Sequence, residues 1–366
     1  MAKSGRLPVG LLLCLTVGRV WAQDFESLPI WQQLTDLSLR AGYRDNVTLS
    51  SSSPEASPFV EAGLDAMVWR GLGERTRFEG MVLAEFRHYL SSDQVDGEQT
   101  VFGLAQVRHD WSEHWRGGEG FEYVYQDQVL DVSATEAELQ PSRIRGHTFT
   151  GRSQLKRGLG GGWMVVELAG TRQLYEELID DYWEITPGIA WEWPVFEGLE
   201  MSLGYQYSHD WYDEDLALTV QGEPIPGVGR EAGRHELGLT GRHYWGAERA
   251  WRLTWKLSGR VNRDGESGYY DYVRPQLSLR LRYRWGGWEL EGGVRANHYD
   301  YREQWANEAE GEHRWRSELY CDLVVERRLT RRLRLFAQYD YERTFANRDV
   351  EEYAVSTVSG GLRIEF

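Results

Sequence analysis

Two sets of charged side chains are the residues of this sequence most able to bind solutes or each other. The basic set is almost entirely arginine: Arg242, Arg252, Lys256, Arg260, Arg280, Arg282, Arg284 and Arg295. The acidic set comprises Glu61, Asp65, Glu79, Glu85, Glu318, Asp322 and Glu326. Guanidinium groups bind carboxylates in a fixed bidentate geometry. The two sets can therefore brace a protein wall as ion pairs, or act on charged solutes.

These two interpretations predict different contacts, and we keep both open. In the first, Arg282 and Arg284 meet Glu289 and Glu291 on the neighbouring strand and stabilise the wall. In the second, a basic wall faces an acidic wall across water, and the field between them orients polar or charged solutes in transit.

The sequence contains no recognisable catalytic arrangement. Its nine histidines are scattered, and the adjacent pairs His109-Asp110 and His209-Asp210 fall on opposite faces of a strand. No nucleophile stands out with a base and an orienting group. We expect no enzyme, cofactor or metal centre, and keep a lipase or protease as the less favoured alternative. One acidic cluster is either a divalent-cation site or a solvated loop: Asp210, Asp213, Glu214 and Asp215.

Alternation with a period of two residues positions these charges. Between 277 and 285 the odd positions are apolar or aromatic, whereas the even positions are polar and include three arginines. Residues 251–260 show the same split. An arginine turned to lipid near the bilayer midplane costs about 2–4 kcal/mol. The pattern therefore predicts one face toward lipid and the other toward water.

About sixteen such segments follow one another, an even number as a single-chain membrane barrel requires. Together they predict an all-β, transmembrane, antiparallel up-and-down barrel. The segments are 34–49, 59–70, 76–90, 99–111, 115–130, 143–156, 162–176, 181–193, 198–212, 231–245, 250–264, 269–285, 287–302, 314–328, 332–346 and 352–366.

The connections alternate between short turns and longer polar loops. Turns are predicted at 71–75, 112–114, 158–161, 194–197, 246–249, 286–287 and 329–331. The longest loop is predicted at 213–230, and we leave open whether it constricts the lumen or lies on the surface. Short periplasmic turns and longer extracellular loops are typical of such barrels, which places both chain ends in the periplasm.

Aromatic residues make up 13% of the chain, with 17 Trp and 20 Tyr. Many tryptophans lie at segment ends beside the short turns, where a girdle at headgroup depth is expected. A soluble sandwich or propeller is the alternative. The tryptophans assigned to the girdle are Trp69, Trp111, Trp115, Trp163, Trp193, Trp245, Trp251, Trp285, Trp288 and Trp315.

The last segment, from Val358 to an aromatic terminus at Phe366, resembles the closing strand of Gram-negative outer-membrane β-barrels. Residues 39–49 resemble an opening strand, and 336–347 with 352–353 resemble a closing hairpin. The resemblance implies that Phe366 is an assembly signal read by the barrel-assembly machinery. Some similar barrels secrete exopolysaccharide and carry a periplasmic helical-repeat domain. We expect only residues 23–33 before the first strand, too few for a repeat.

The amino terminus predicts a secretory signal at 1–22, with Lys3 and Arg6 before an apolar core and cleavage after Ala22. The barrel is expected over 34–366. The net charge of -16 becomes about -19 once the three cations of the signal are lost, which argues against a nucleic-acid partner. Cys321 is then the sole cysteine and is expected to be an apolar filler toward lipid.

These features predict an outer-membrane channel, similar to porins, for small hydrophilic or charged solutes. Two alternatives remain open: an exopolysaccharide conduit, and a closed structural or enzymatic barrel. The expected partners are outer-membrane lipids, lipopolysaccharide, the assembly machinery, and a hydrophilic solute or polysaccharide.

Overall fold

The computed structural model describes residues 31–135, 141–176, 179–307 and 311–366. Sixteen strands form one closed antiparallel barrel, so the predicted fold is confirmed. The predicted signal peptide and most of the segment 23–33 lie outside the described residues. Within the described ranges no helix is long and apolar enough to cross a membrane.

The strands follow the chain in order around the barrel. They are β1 Gln32–Arg44, β2 Ser57–Gly71, β3 Thr76–Tyr89, β4 Gly97–Ser112, β5 Trp115–Leu130, β6 Ser142–Leu159, β7 Gly162–Tyr175, β8 Tyr182–Phe196, β9 Leu199–Leu218, β10 Pro224–Trp245, β11 Trp251–Asp264, β12 Tyr272–Trp285, β13 Trp288–Asn307, β14 Glu312–Arg328, β15 Leu333–Ala346 and β16 Tyr353–Glu365.

The ring closes where the first strand pairs with the last. The β1–β16 register runs from Asp36 opposite Glu365 to Arg44 opposite Thr357. Closure leaves no strand edge, so backbone N–H and C=O groups are paired within the ring. The hydrocarbon core of a bilayer requires this pairing because it contains no water to bind unpaired groups. In a ring of sixteen, each strand is diametrically opposite the strand eight places along, so β3 faces β11 and β5 faces β13.

One parity of each strand forms an apolar outer surface. Leu203 on β9, Leu237 on β10 and Leu257 on β11 are 45%, 56% and 54% exposed. The register aligns such residues on neighbouring strands, as Leu203 opposite Leu239 shows. The other parity carries the charges and lines the lumen. Large apolar side chains exposed around a whole closed barrel are the surface that lipid covers.

The two ends of the barrel differ, as predicted. The turn end carries the short connections between even-numbered strands and the strands that follow them, for example 286–287. The loop end carries the others, of which 45–56 and 131–141 are the longest. The predicted long loop at 213–230 was wrong: β9 and β10 continue to Leu218 and from Pro224. Pairing of this Gly- and Pro-containing stretch is irregular, with Pro224 opposite Leu218, Gly229 opposite Leu216 and register shifts on either side of Gly229.

A row of stacked rings surrounds part of the turn end on the outer face. Trp245 stacks on Trp251 at 5.8 Å between centroids, Trp251 on Tyr283 at 3.9 Å, Tyr283 on Trp285 at 5.0 Å, and Trp285 on Trp288 at 6.1 Å. Such a row suits headgroup depth.

The predicted tryptophan girdle needs three corrections. Trp69 and Trp163 lie on the inner parity of their strands, level with Glu79 and Glu192 in the register. Trp315 lies near the start of β14, at the loop end. Position beside a turn therefore does not by itself fix which face a tryptophan occupies.

We predict that Leu203→Arg lowers the free energy of unfolding by about 2–4 kcal/mol, because it places a guanidinium in lipid. Ser202→Arg is the matched control: its side chain faces the lumen and the register sets it beside Glu192. Urea unfolding in phospholipid vesicles, followed by tryptophan fluorescence, measures both. Equal losses for the two variants would contradict the assignment of faces.

Candidate functional site: a segment that crosses the lumen

Residues 131–135, here called the crossing segment, run into the barrel instead of rising from its rim. Asp131 follows the last residue of β5, yet its Oδ2 lies 2.7 Å from Arg316 Nη2 on β14. The Tyr301 hydroxyl on β13 donates to the Ala134 carbonyl at 2.8 Å. Because β13 is opposite β5, the crossing segment joins opposite walls of the lumen.

Two fully buried arginines hold this segment, and we call them the arginine latch: Arg314 and Arg316, both with 0% exposed side chains. Arg314 donates to the Ser133 carbonyl at 2.7 Å and pairs with Glu351 at 2.9 Å. Arg316 pairs with Asp131. Buried guanidinium groups are stable only when carboxylates and hydrogen bonds compensate their lost hydration, and here the crossing segment supplies part of that compensation.

A third arginine fixes the end of the crossing segment. Arg230 on β10 donates to the Thr135 carbonyl at 3.2 Å. Its guanidinium lies over the rings of Tyr212 and Tyr270, at 4.1 and 3.9 Å from their centroids. Contacts between cations and aromatic faces strengthen when both are shielded from water.

Apolar packing holds two connections in place at the loop end. Ala134 of the crossing segment packs in a buried cluster with tyrosines of β12 and β13. Val47 and Leu49, from the connection 45–56, are buried against Phe59 and Val355. The loop end is therefore narrowed by two connections that fold inward.

Burial raises the pKa of the Asp131 carboxyl, but the charge and hydrogen bonds of Arg316 and the hydrogen bonds of Ser133 outweigh burial. The pKa of Asp131 consequently lies below its ordinary value of 3.8. The carboxylate stays ionised at neutral pH, and the ion pair of the latch is maintained.

The predicted basic residues occupy the inner parity of β10 to β13. The register sets Arg252 directly opposite Arg282, a repulsive arrangement that neighbouring carboxylates offset. Their ion pairs are Arg242–Glu200 at 3.9 Å, Arg252–Glu291 at 3.8 Å, Lys256–Glu236 at 2.8 Å, Arg260–Glu236 at 2.7 Å, Arg280–Glu291 at 3.3 Å, Arg282–Glu289 at 3.8 Å and Arg284–Glu289 at 2.8 Å. Arg295 makes no ion pair among the described residues and lies over the Tyr320 ring at 4.2 Å.

The predicted acidic residues lie on the inner parity of β2, β3 and β14. Asp65 has no ion-pair partner within the described ranges. The others pair as Glu61–Arg87 at 2.9 Å, Glu79–Arg77 at 2.6 Å, Glu85–Arg40 at 3.8 Å, Glu318–Arg316 at 2.9 Å, Asp322–Arg280 at 3.3 Å and Glu326–Arg363 at 2.6 Å.

Charge is nevertheless uneven across the lumen. The inner parity of β11 and β12 has no carboxylate over 252–262 or 272–284. It carries Arg252, Lys256, Arg260, Arg274, Arg280, Arg282 and Arg284. Four of the predicted carboxylates lie on β2 and β3, and β3 is opposite β11. Ion-pair ladders are therefore present on both walls, and the inner faces of β11 and β12 carry the excess of cations from which a transverse field is expected.

The acidic cluster proposed near 210–215 does not come together. Asp210 pairs with Arg234 at 2.7 Å. Asp213 pairs with Arg172 at 2.6 Å, and Asp215 with Arg230 at 3.2 Å. Within the described ranges, no three His, Cys, Asp or Glu side chains are grouped so as to hold a metal ion.

Sequence reasoning missed the latch and the crossing segment. Arg314 and Arg316 alternate along one strand face with Glu318, a detectable sign of a charged inner wall near the loop end. Nothing local in residues 131–135 indicates that they turn inward, because the partners described above lie 95 to 185 residues away.

No family model matches this chain, and no curated protein matches it. Solved structures do resemble it. They include outer-membrane expressed OmpT of Vibrio cholerae, at 10% identity over 92% of this chain and 97% of that chain, with TM-score 0.47. Pseudomonas aeruginosa OpdK with vanillate shows 11% identity over 91% and 99%, with TM-score 0.48. A bacterial polysaccharide outer membrane secretin shows 10% identity over 91% and 98%, with TM-score 0.44. At these scores none of them carries an argument about function. The closed ring, the apolar outer face and the stacked aromatic row are features of a transmembrane β-barrel.

We predict that Asp131→Asn releases the crossing segment, because it leaves the buried Arg316 without its partner there. Removing one member of a buried ion pair costs about 3–5 kcal/mol. A spin label at position 135, in a Cys321→Ser background, should become more mobile by electron paramagnetic resonance. The matched control is Asp96→Asn, which removes an exposed partner of Arg143 and should leave the label unchanged.

The same label tests the pH dependence. Since the pKa of Asp131 is lowered on folding, its contribution to stability is complete above pH 3.8 and is lost as pH falls through the lower folded-state pKa. We expect an immobile label from neutral pH down to about pH 4 and release below that range. Release at mildly acidic pH, or the same acid transition in Asp131→Asn, would contradict this account.

Proposed function

We propose that this protein is an outer-membrane channel for small hydrophilic or charged solutes, narrowed by the crossing segment. The observation that carries the proposal is the crossing segment itself, held between opposite walls of a charged lumen. A ring of sixteen strands encloses an aqueous passage. A segment latched across it limits the size of what can pass without requiring a separate plug domain.

Space beside the crossing segment supports this proposal. A cavity of about 340 Å³ borders Asp131 and lies between β1 to β5 and β13 to β15. A second cavity, of about 820 Å³, lies nearer the turn end along β2 to β7. Both are lined by charged and polar side chains, which suit hydrated solutes better than lipids.

The proposed setting is the outer membrane, with lipopolysaccharide around the loop end. Phe366 suits its proposed role as an assembly signal, since its ring is 59% exposed. Its backbone N–H donates to the Thr35 carbonyl at 2.8 Å, so the last residue is ordered against the first strand.

The decisive experiment is single-channel recording of the refolded mature protein in a planar bilayer. We expect stepwise ohmic conductance, with more frequent transitions to a larger conductance in Asp131→Asn because the crossing segment is less firmly held. A folded barrel without conductance would overturn the channel proposal and favour a closed or gated barrel. Sugar polymers that pass or block only with an added periplasmic partner would favour an exopolysaccharide conduit.

Selectivity gives a separate prediction. Arg282→Gln removes a cation from the basic wall and should shift the reversal potential in a salt gradient toward cation selectivity. Arg327→Gln is the control, because Arg327 lies on the outer face over Trp288, at 5.0 Å from the ring centroid. Equal shifts for both variants would show that the basic wall does not face the conducting path.

A further inference from the structure

The 340 Å³ cavity beside the crossing segment has the size of a small-molecule site. Its walls come from β1 to β5 on one side and β13 to β15 on the other, and Asp131 contributes to its border. A solute that passes on this side of the crossing segment would contact these walls.

Most charges around the cavity are already committed to other protein groups. Those on β1 to β4 form a continuous network, and Asp131 at the border of the cavity is bound separately by Arg316 of the latch. The pairs are Arg44–Glu98 at 3.3 Å, Arg87–Glu98 at 3.1 Å, Arg87–Glu61 at 2.9 Å and Asp131–Arg316 at 2.7 Å. These groups shape the walls and have little capacity left for a solute.

Two exposed charges remain available. Arg295 on β13 has no ion-pair partner among the described residues, and its guanidinium is held only against Tyr320. Glu85 on β3 has a side chain that is 61% exposed. Its nearest cation, Arg40, lies 3.8 Å away and also pairs with Glu61.

Their positions oppose each other. Counting around the ring through β1 and β16, β3 and β13 are six strands apart, and both side chains line the same cavity. They therefore face the space between them from different walls. Among the described residues, Glu342 is the other carboxylate at this cavity without an ion pair. It accepts a hydrogen bond from the Tyr353 hydroxyl at 2.6 Å and is half-buried.

We propose that this cavity is a binding site for a small zwitterion, such as a short peptide, whose carboxylate binds Arg295 and whose ammonium group binds Glu85. The inference rests on the proposed channel function and names a solute class for it. An anion would bind Arg295 but be repelled by Glu85. A cation would bind Glu85 but be repelled by Arg295. A solute that carries both charges at its two ends satisfies both walls at once.

Four peptides of one backbone test the proposal: triglycine, its N-acetyl form, its amide, and the doubly blocked form. They are a zwitterion, an anion, a cation and a neutral molecule. Ligand-observed NMR titration of the refolded mature protein in detergent measures binding without requiring conduction. We expect triglycine to bind about tenfold more tightly than each singly blocked peptide and about a hundredfold more tightly than the doubly blocked one, since each charged hydrogen-bonded contact is worth roughly a factor of ten.

The variants separate the two contacts. Arg295→Gln should reduce triglycine binding to the level of the amide, and Glu85→Gln should reduce it to the level of the N-acetyl form. Arg242→Gln and Asp65→Asn change lumen charges that do not line this cavity, and should leave the binding order unchanged.

Each outcome decides the proposal. Equal binding of the four peptides, or an amide that binds as tightly as triglycine, would overturn it. So would a preference for triglycine that survives Arg295→Gln. Selective binding by a barrel that shows no conductance would support the site and refute the channel. Conductance without selective binding would support the channel and refute the site.

Discussion

Pairing between β1 and β16 is the contact on which the rest of this structure depends. In hydrocarbon an unpaired backbone N–H or C=O is costly, so a sheet survives there only when it has no edge. The register from Asp36–Glu365 to Arg44–Thr357 removes the edge. The closed ring then separates lipid outside from water in the lumen. Each strand therefore has to keep its apolar side chains outside and its charged side chains inside.

The inner surface also holds many arginines close together, and their mutual repulsion has to be offset by carboxylates. Glu236 is approached by Lys256, Arg260 and Arg274, and Glu289 serves both Arg282 and Arg284. Sharing one carboxylate among several cations leaves positive charge uncompensated on β11 and β12. The wall is thus braced and polarised by the same contacts, so the two interpretations drawn from the sequence do not exclude each other.

Much of the fold could be predicted from the sequence because a two-residue period is a local signal. The apolar residues between 277 and 285 and the polar residues beside them determine two faces without any knowledge of neighbours. The hairpin over 213–230 was not predictable in this way, since its Gly and Pro residues resemble a loop and only the pairing with β9 keeps them extended. The crossing segment was missed for a stronger reason: its position depends on buried partners that belong to β10, β13 and β14.

The sequence distance between the crossing segment and the arginine latch also bears on the order of assembly. Asp131 and Arg316 are 185 residues apart, and closing so long a loop is entropically costly until the intervening strands have paired. We therefore expect the crossing segment to reach Arg316 after β13 and β14 have joined the ring, so that narrowing of the lumen follows closure of this part of the wall.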